Sequence, residues 1–367
     1  MKFDYSVQEP LNREPPVDEL ISSFYTEKGA YDRNHGPIPH LDADTHIVHV
    51  DGAVENKLAL SIAQLKNEFK QHDVVCCLQC AGNRRHTMRT LLKEVDGIDW
   101  GDGAVMNCKW RGPKLKDVLD RAGPKIPHGT KGHVAFASFQ TECQDDTWYG
   151  GSIELERALR DDADVVLALE MNGKTLPVNN GYPVRMVVPG IAGARSVKWL
   201  DRITVQLEES KNFYQTHDYK VLPPDAVDKE SASKYWDVTP AVQEMPVNSV
   251  IAVPQSGKTA TLSPNGTIEV RGYALPSGNG GPVAKVEVSV DDGKTWVGAE
   301  IVNGLEARSK WAWVLWKATV KLERGEERRI FSRATDVAGQ TQCAQPQWNF
   351  RGVCYNGYGE SRDITVA

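Results

Sequence analysis

No long apolar run occurs in this sequence. Nothing approaches the roughly 18 or more residues that span a bilayer, and the opening Met1-Lys2-Phe3-Asp4-Tyr5 lacks the apolar core of a signal peptide. An excess of one charge sign is missing too. A net charge of -6 over 367 residues, 25% of them charged and 40% hydrophobic, exerts no general pull on nucleic acid or anionic membranes. Any anion must therefore be met by local clusters of arginine. The cysteines number seven, an odd count, and three of them crowd into positions 76–80, which is no disulfide framework. No second Cys-x-x-Cys and no paired Cys/His set exists, so a tetrahedral zinc site lacks ligands. Neither GxxxxGKS/T nor GxGxxG is present, which leaves a nucleotide-binding fold without support. The final Ile364-Thr365-Val366-Ala367 is no peroxisomal tripeptide. What these absences leave is a soluble globular protein of about two domains, expected in the cytoplasm, with peroxisome and mitochondrion left open.

What is present centres on Cys76-Cys77-Leu78-Gln79-Cys80-Ala81-Gly82-Asn83-Arg84-Arg85. The β-branched and apolar residues 73–78 predict a short buried strand, and Gly82-Asn83 a turn. A thiol beside two guanidiniums has its thiolate favoured, the nucleophilic and metal-binding form. Cys77 and Cys80 have the redox spacing but sit at a strand end with no clear helix to follow, and Cys76, Cys77 and Cys108 read as packing residues. Upstream, Pro10, Pro15 and Pro16 predict an arm laid over the surface, then a loop over 31–39 in which Arg33, Asn34 and His35 offer several donors.

Helical spacing of Ile62, Leu65 and Phe69 behind Ser61 and Gln64 predicts a helix with a capping box. Helical turns are expected over 87–95 and helices over 115–123 and 153–160. Strands are expected over 45–50, 133–139, 165–171 and 184–188, and a Gly-rich loop over 97–103 presents Trp100. The mixture lacks a βαβ rhythm, so an irregular, mostly-β α+β domain is expected. Arg185, Arg195 and Lys198 bring charge to one place among small residues, where backbone can approach a ligand. A loose, proline-bearing stretch ends this domain, giving domains of 1–237 and 238–367. In the second, residues 267–273 and 286–290 alternate with period two, Asp291-Asp292-Gly293 makes a hairpin turn, and 311–316 and 329–334 add strands. That pattern predicts an immunoglobulin-like β-sandwich.

Cys80-Ala81-Gly82-Asn83-Arg84-Arg85, Arg33-Asn34-His35, the run from Gly193 to Trp199 and Trp348-Asn349-Phe350-Arg351-Gly352 together resemble the sulfite oxidase family of molybdenum enzymes, in order along nearly the whole chain. The resemblance implies a molybdopterin-binding domain followed by an immunoglobulin-like dimerisation domain, hence a homodimer. It makes Cys80 the protein ligand of molybdenum, kept ionised by neighbouring positive charge. Arg33, Arg85 and Arg351 would form an oxyanion pocket, with Trp100 and Tyr219 beside them. Three guanidiniums gathered without a carboxylate repel unless an anion joins them. Arg33, Asn34, His35, Asn180, Arg185, Ser196, Val197 and Lys198 would hold the molybdopterin. Asn180 stands where the family usually has histidine, and Gln140 where an acidic residue is common. The implied reaction is oxidation of sulfite to sulfate. Nitrate reduction is the sister activity, which Arg351 disfavours, and a molybdenum-free oxyanion-binding protein is an alternative of another class. No b-type haem domain is found, so electrons are expected to pass to an external acceptor, dioxygen or a cytochrome.

Overall fold

The computed structural model describes residues 10–127, 129–304 and 306–367. The reading of Met1 to Tyr5 as no signal peptide lies outside these.

The strand Gln71–Gln79 carries the cysteine run and pairs antiparallel along its whole length with Val105–Pro113, Cys76 opposite Cys108. Both cysteines are fully buried, as packing residues should be. The strands Glu170–Met171 and Lys174–Thr175 complete that sheet. A second sheet has the order Leu58–Ser61, Ile47–Gly52, Arg202–Gln206, His133–Ser138, Tyr149–Glu154, with Ile47–Gly52 and Arg202–Gln206 parallel. Its main core joins Val48, Val50, Phe136, Ile203 and Val205 to the apolar face of the helix Leu115–Ala122. That helix ends where expected, because Gly123 takes the left-handed conformation at φ 69° that closes it. The helix Ile62–Asn67 opens on the expected capping box between Ser61 and Gln64.

Two expected helices differ. Over 153–160 the strand Tyr149–Glu154 claims Ile153, which pairs with Val134, and only Leu155–Leu159 is helical. A helix does follow the cysteine run, Arg85–Leu91 rather than 87–95. It is hard to read because no side chain caps it. Its first donors go to tertiary acceptors instead, Arg84 N–H to the Gly101 carbonyl at 2.7 Å and His86 N–H to that of Trp100 at 2.8 Å.

From Asn248 to Val366 the chain forms two facing sheets. One has the order Asn248–Val253, Thr267–Leu275, Val314–Lys321, Glu300–Ile301, and the other Thr259–Ala260, Gly359–Val366, Gly325–Asp336, Val283–Ser289, Val297–Gly298. Val270, Trp316 and Val320 of the first pack on Val286, Ile330 and Ile364 of the second, a sandwich core. The strand expected over 311–316 begins only at Val314. Of its tryptophans, Trp316 alone enters the sandwich core. Trp311 packs on Cys76 and Trp110 of the cysteine-bearing sheet, and Trp313 donates from Nε1 to the Phe24 carbonyl at 2.8 Å. The two parts of the chain are thereby keyed together beside the Cys80 loop, and the arm around Phe24 is built into that junction.

Candidate active site

Four distant segments converge on one cavity, lined among others by Tyr31, Arg33, Asn34, His35, Cys80, Asn180, Arg185, Ser196, Lys198 and Tyr219. A neighbouring cleft shares Arg33 and His35 with it and is walled by Asp96, Asp218, His217, Trp236 and Arg351. The site thus has an inner chamber and an outer mouth, with Arg33 and His35 between.

The hydrogen bonds at that junction determine a tautomer. Arg33 donates from Nη2 to His35 Nδ1 at 3.2 Å, and His35 Nε2 lies 2.8 Å from the Tyr219 hydroxyl. Burial, then Arg33, Lys198 and Arg351, push the His35 pKa well below its ordinary value, so the ring is neutral. Nδ1 accepts, so Nε2 carries the proton and donates it to the Tyr219 oxygen. The tyrosine's own O–H is left free to donate into the chamber.

The cations of the chamber share a peculiarity. Lys198 donates to Asn34 Oδ1 and to the Asn179 carbonyl. Arg185 donates to the carbonyls of Asn180 at 3.0 Å and Ser196 at 2.8 Å. All these acceptors are neutral. Burial accordingly pulls Lys198 down to about 7 and Arg185 to about 10. Buried cations without hydrogen-bonded carboxylates are the donor set that a phosphate-bearing anion completes. Among the described residues no group of three or more His, Cys, Asp or Glu side chains converges, so a metal at Cys80 would need its remaining ligands from a cofactor. The residues present fit a molybdopterin.

A pH prediction follows from Lys198. Its pKa is 10.5 ordinarily and about 7 when buried, so between those values the unfolded chain binds a proton that the folded chain does not. Stability of cofactor-free protein from this group therefore rises with pH across that window. Melting curves at about pH 7 and about pH 9 should show a rise in wild type that is smaller in Lys198→Met. Equal rises in both would remove Lys198 from the account.

Other expected site residues are placed differently. Arg85 and Trp100 line neither space. The Arg85 guanidinium fills a slot where a Cβ on Gly82 or Gly97 would stand within 2.8 Å of it, and it donates to the carbonyls of Arg351 at 3.0 Å and Ile98 at 2.7 Å. Trp100 is 2% exposed with Nε1 unpartnered. Arg351 lines the mouth, and its guanidinium is bound by the carboxylates of Asp96 and Asp218. The carboxylate-free trio of guanidiniums is thus corrected: two acids balance Arg351, and only tertiary approach reveals them. Val197 does not line the chamber either: it is fully buried in the main core and its carbonyl accepts from Met186 N–H at 2.8 Å. Arg195 turns away to the carbonyls of Tyr214 and Val242. Gln140 bonds Asp201 at 2.8 Å and does not line the chamber.

The charge of Cys80 also needs correction. Burial raises its thiol pKa, more strongly than Arg85, Arg33 and the Gly82 N–H lower it. Neighbouring cations do not by themselves keep this thiol ionised; coordination would be needed to remove its proton.

Residues 35–214 match the oxidoreductase molybdopterin binding domain and residues 239–362 the Mo-co oxidoreductase dimerisation domain. Fold, cavity and these matches place the chain in the class of proteins built from a molybdopterin binding domain and a Mo-co dimerisation domain. The chain is 42% identical over 358 residues to human mitochondrial sulfite oxidase, covering 96% of this chain and 64% of that protein. Against sulfite oxidase of Arabidopsis thaliana it is 38% identical over 366 residues, covering 95% of this chain and 90% of that protein. An NADH nitrate reductase of Volvox carteri is 34% identical over 359 residues, 95% of this chain and 41% of that protein. The crystal structure of the sulfane dehydrogenase SoxCD from Paracoccus pantotrophus shares the fold, with a TM-score of 0.76 at 24% identity over 100% of this chain and 90% of that one. This chain belongs to the sulfite oxidase family. It spans slightly under two thirds of the human protein it matches.

Proposed function

We propose that the protein oxidises sulfite to sulfate at a molybdenum cofactor. The carrying observation is the chamber itself, where one buried thiol, Cys80, faces cations hydrogen-bonded only to neutral groups and opens to a mouth through Arg33 and His35. The likeness to sulfite oxidases of man and Arabidopsis supports the same reading. When bound, the cofactor supplies the two-electron redox couple that oxygen transfer to sulfur requires. Arg185 and Lys198, with Arg33, Asn34, His35, Asn180 and Ser196, would hold its pterin and phosphate, and Cys80 would give the metal its protein thiolate. Arg33, between chamber and mouth, would draw the sulfite dianion inward, while Arg351, bound by Asp96 and Asp218, would shape the mouth and Arg85 would act through its field at Cys80. Tyr219, its oxygen already accepting from His35, points its proton at a substrate oxygen and orients the sulfur inward. Trp100 walls the Cys80 loop. The balance is sulfite plus water to sulfate, two protons and two electrons, the electrons leaving to an external acceptor, dioxygen or a cytochrome, without haem in this chain. The sandwich, taken as residues 238–367, would pair two copies into a homodimer.

The test is metal and pterin analysis of protein from a cofactor-competent host, with sulfite and nitrate turnover measured side by side. One molybdenum and one pterin per chain, with sulfite consumed in preference, is the expected result. Faster nitrate turnover would assign the sister activity, and protein free of molybdenum would overturn the enzyme reading.

A further inference from the structure

Eight buried side-chain polar atoms among the described residues have no hydrogen-bond partner, and only one of them, Ser138 Oγ, belongs to a residue lining the inner chamber. Ser138 ends the strand His133–Ser138 opposite Tyr149 and is 3% exposed. Its direction is held from both sides. The Ala137 carbonyl accepts from Asp201 N–H at 3.1 Å, and Phe139 N–H donates to Asp201 Oδ2 at 2.8 Å. Gln140 fastens to the same carboxylate oxygen at 2.8 Å. With the backbone pinned on each flank, the side chain has no route out of the chamber. A buried hydroxyl without a partner is costly, and native proteins keep one where a ligand or bound group completes it.

We infer that Ser138 is a cofactor-binding residue, its hydroxyl hydrogen-bonding the molybdopterin held in this chamber. The inference rests on the molybdopterin reading above and adds a hydroxyl to the chamber wall that also carries Arg185 and Lys198. Strand geometry delivers it, because the alternation that buries Phe136 in the core turns the even-numbered Ser138 inward from the same face at the strand's end. It also explains why a serine tolerates so dry a position. In cofactor-free protein the hydroxyl is a liability; in loaded protein it is a contact.

That opposition of signs gives the test. Ser138→Ala and Ser138→Gly are made, and cofactor-free and loaded forms of each are melted alongside wild type. Pterin retained after dialysis is measured by the fluorescence of its oxidised product. Cofactor-free Ser138→Ala is expected to melt at or slightly above the wild-type temperature, since an unsatisfied group is gone. Its gain in melting temperature on loading should be smaller, and pterin should dissociate about 5-fold more readily, the value of one neutral hydrogen bond. Ser138→Gly should repeat the second result even where strand flexibility lowers both melting temperatures. Equal loading gains and equal pterin retention in all three proteins would overturn the inference, as would an equal loss of stability in loaded and cofactor-free forms of both variants. Wild-type protein that takes up no pterin would instead overturn the reading on which the inference rests.

Discussion

Cys80→Ser is expected to cut sulfite turnover to below about 1% of wild type while leaving the fold intact, since loss of even an outer-shell partner commonly costs 10–100-fold at a metal site. The substitution is nearly isosteric. Cys80 is 5% exposed, its N–H donates to the Ala104 carbonyl at 2.9 Å and its carbonyl accepts from Asn83 N–H at 3.0 Å, so the loop is held by backbone that serine retains. What changes is the donor atom. A serine alkoxide is a harder ligand and far more basic than a thiolate, and the burial that already raises the Cys80 pKa would keep the hydroxyl protonated. Circular dichroism and melting temperature should stay near wild type, pterin content should change little, and molybdenum content and turnover should fall. Full turnover by a molybdenum-loaded Cys80→Ser protein would remove Cys80 as the ligand.

The parts of this site that were legible in the sequence are those written in one segment. Cys80 and Arg85 stand five residues apart on a strand-turn-helix, and Arg33-Asn34-His35 arrives as one loop, so motif order alone brings them forward. The capping box at Ser61 and the glycine stop at Gly123 are equally local. What was hidden depends on approach in space. Asp96 and Asp218 bind Arg351 across 255 and 133 residues, and no spacing announces that pairing. Arg195 looked like a third cation for the chamber, but Tyr214 and Val242 offer it carbonyls elsewhere. The thiol of Cys80 was expected ionised from its neighbours, whereas desolvation, which only the fold determines, dominates. Residues 153–160 read as helix by spacing because pairing of Ile153 with Val134 is a tertiary fact.

Arg84→Met is expected to destabilise the protein by about 3–5 kcal/mol, the cost of breaking a buried charged network, which lowers the melting temperature by roughly 10 °C. Arg84 is 2% exposed and adopts φ 68° at the start of the helix Arg85–Leu91. Its guanidinium reaches across to the segments that carry the sandwich while one edge stays beside Asp102. Nη1 donates to Asn248 Oδ1 and the Gly357 carbonyl, Nη2 to the Tyr358 carbonyl, each at 2.7 Å, while Nε faces Asp102 at 3.4 Å and the Tyr355 ring lies 4.7 Å from Cζ. Methionine would fill much of the volume and satisfy none of these acceptors. The functional consequence runs through the next residue, since Arg85 is anchored on the Arg351 carbonyl in the same late segment and acts electrostatically on Cys80. Loosening Arg84 therefore loosens Cys80, Arg85 and Arg351 together, and KM for sulfite should rise in whatever fraction of Arg84→Met stays folded. Arg84→Lys, which keeps the charge but can reach fewer of the acceptors, should fall between. An Arg84→Met protein with wild-type melting temperature and wild-type KM would show that the second domain does not hold the Cys80 loop in place.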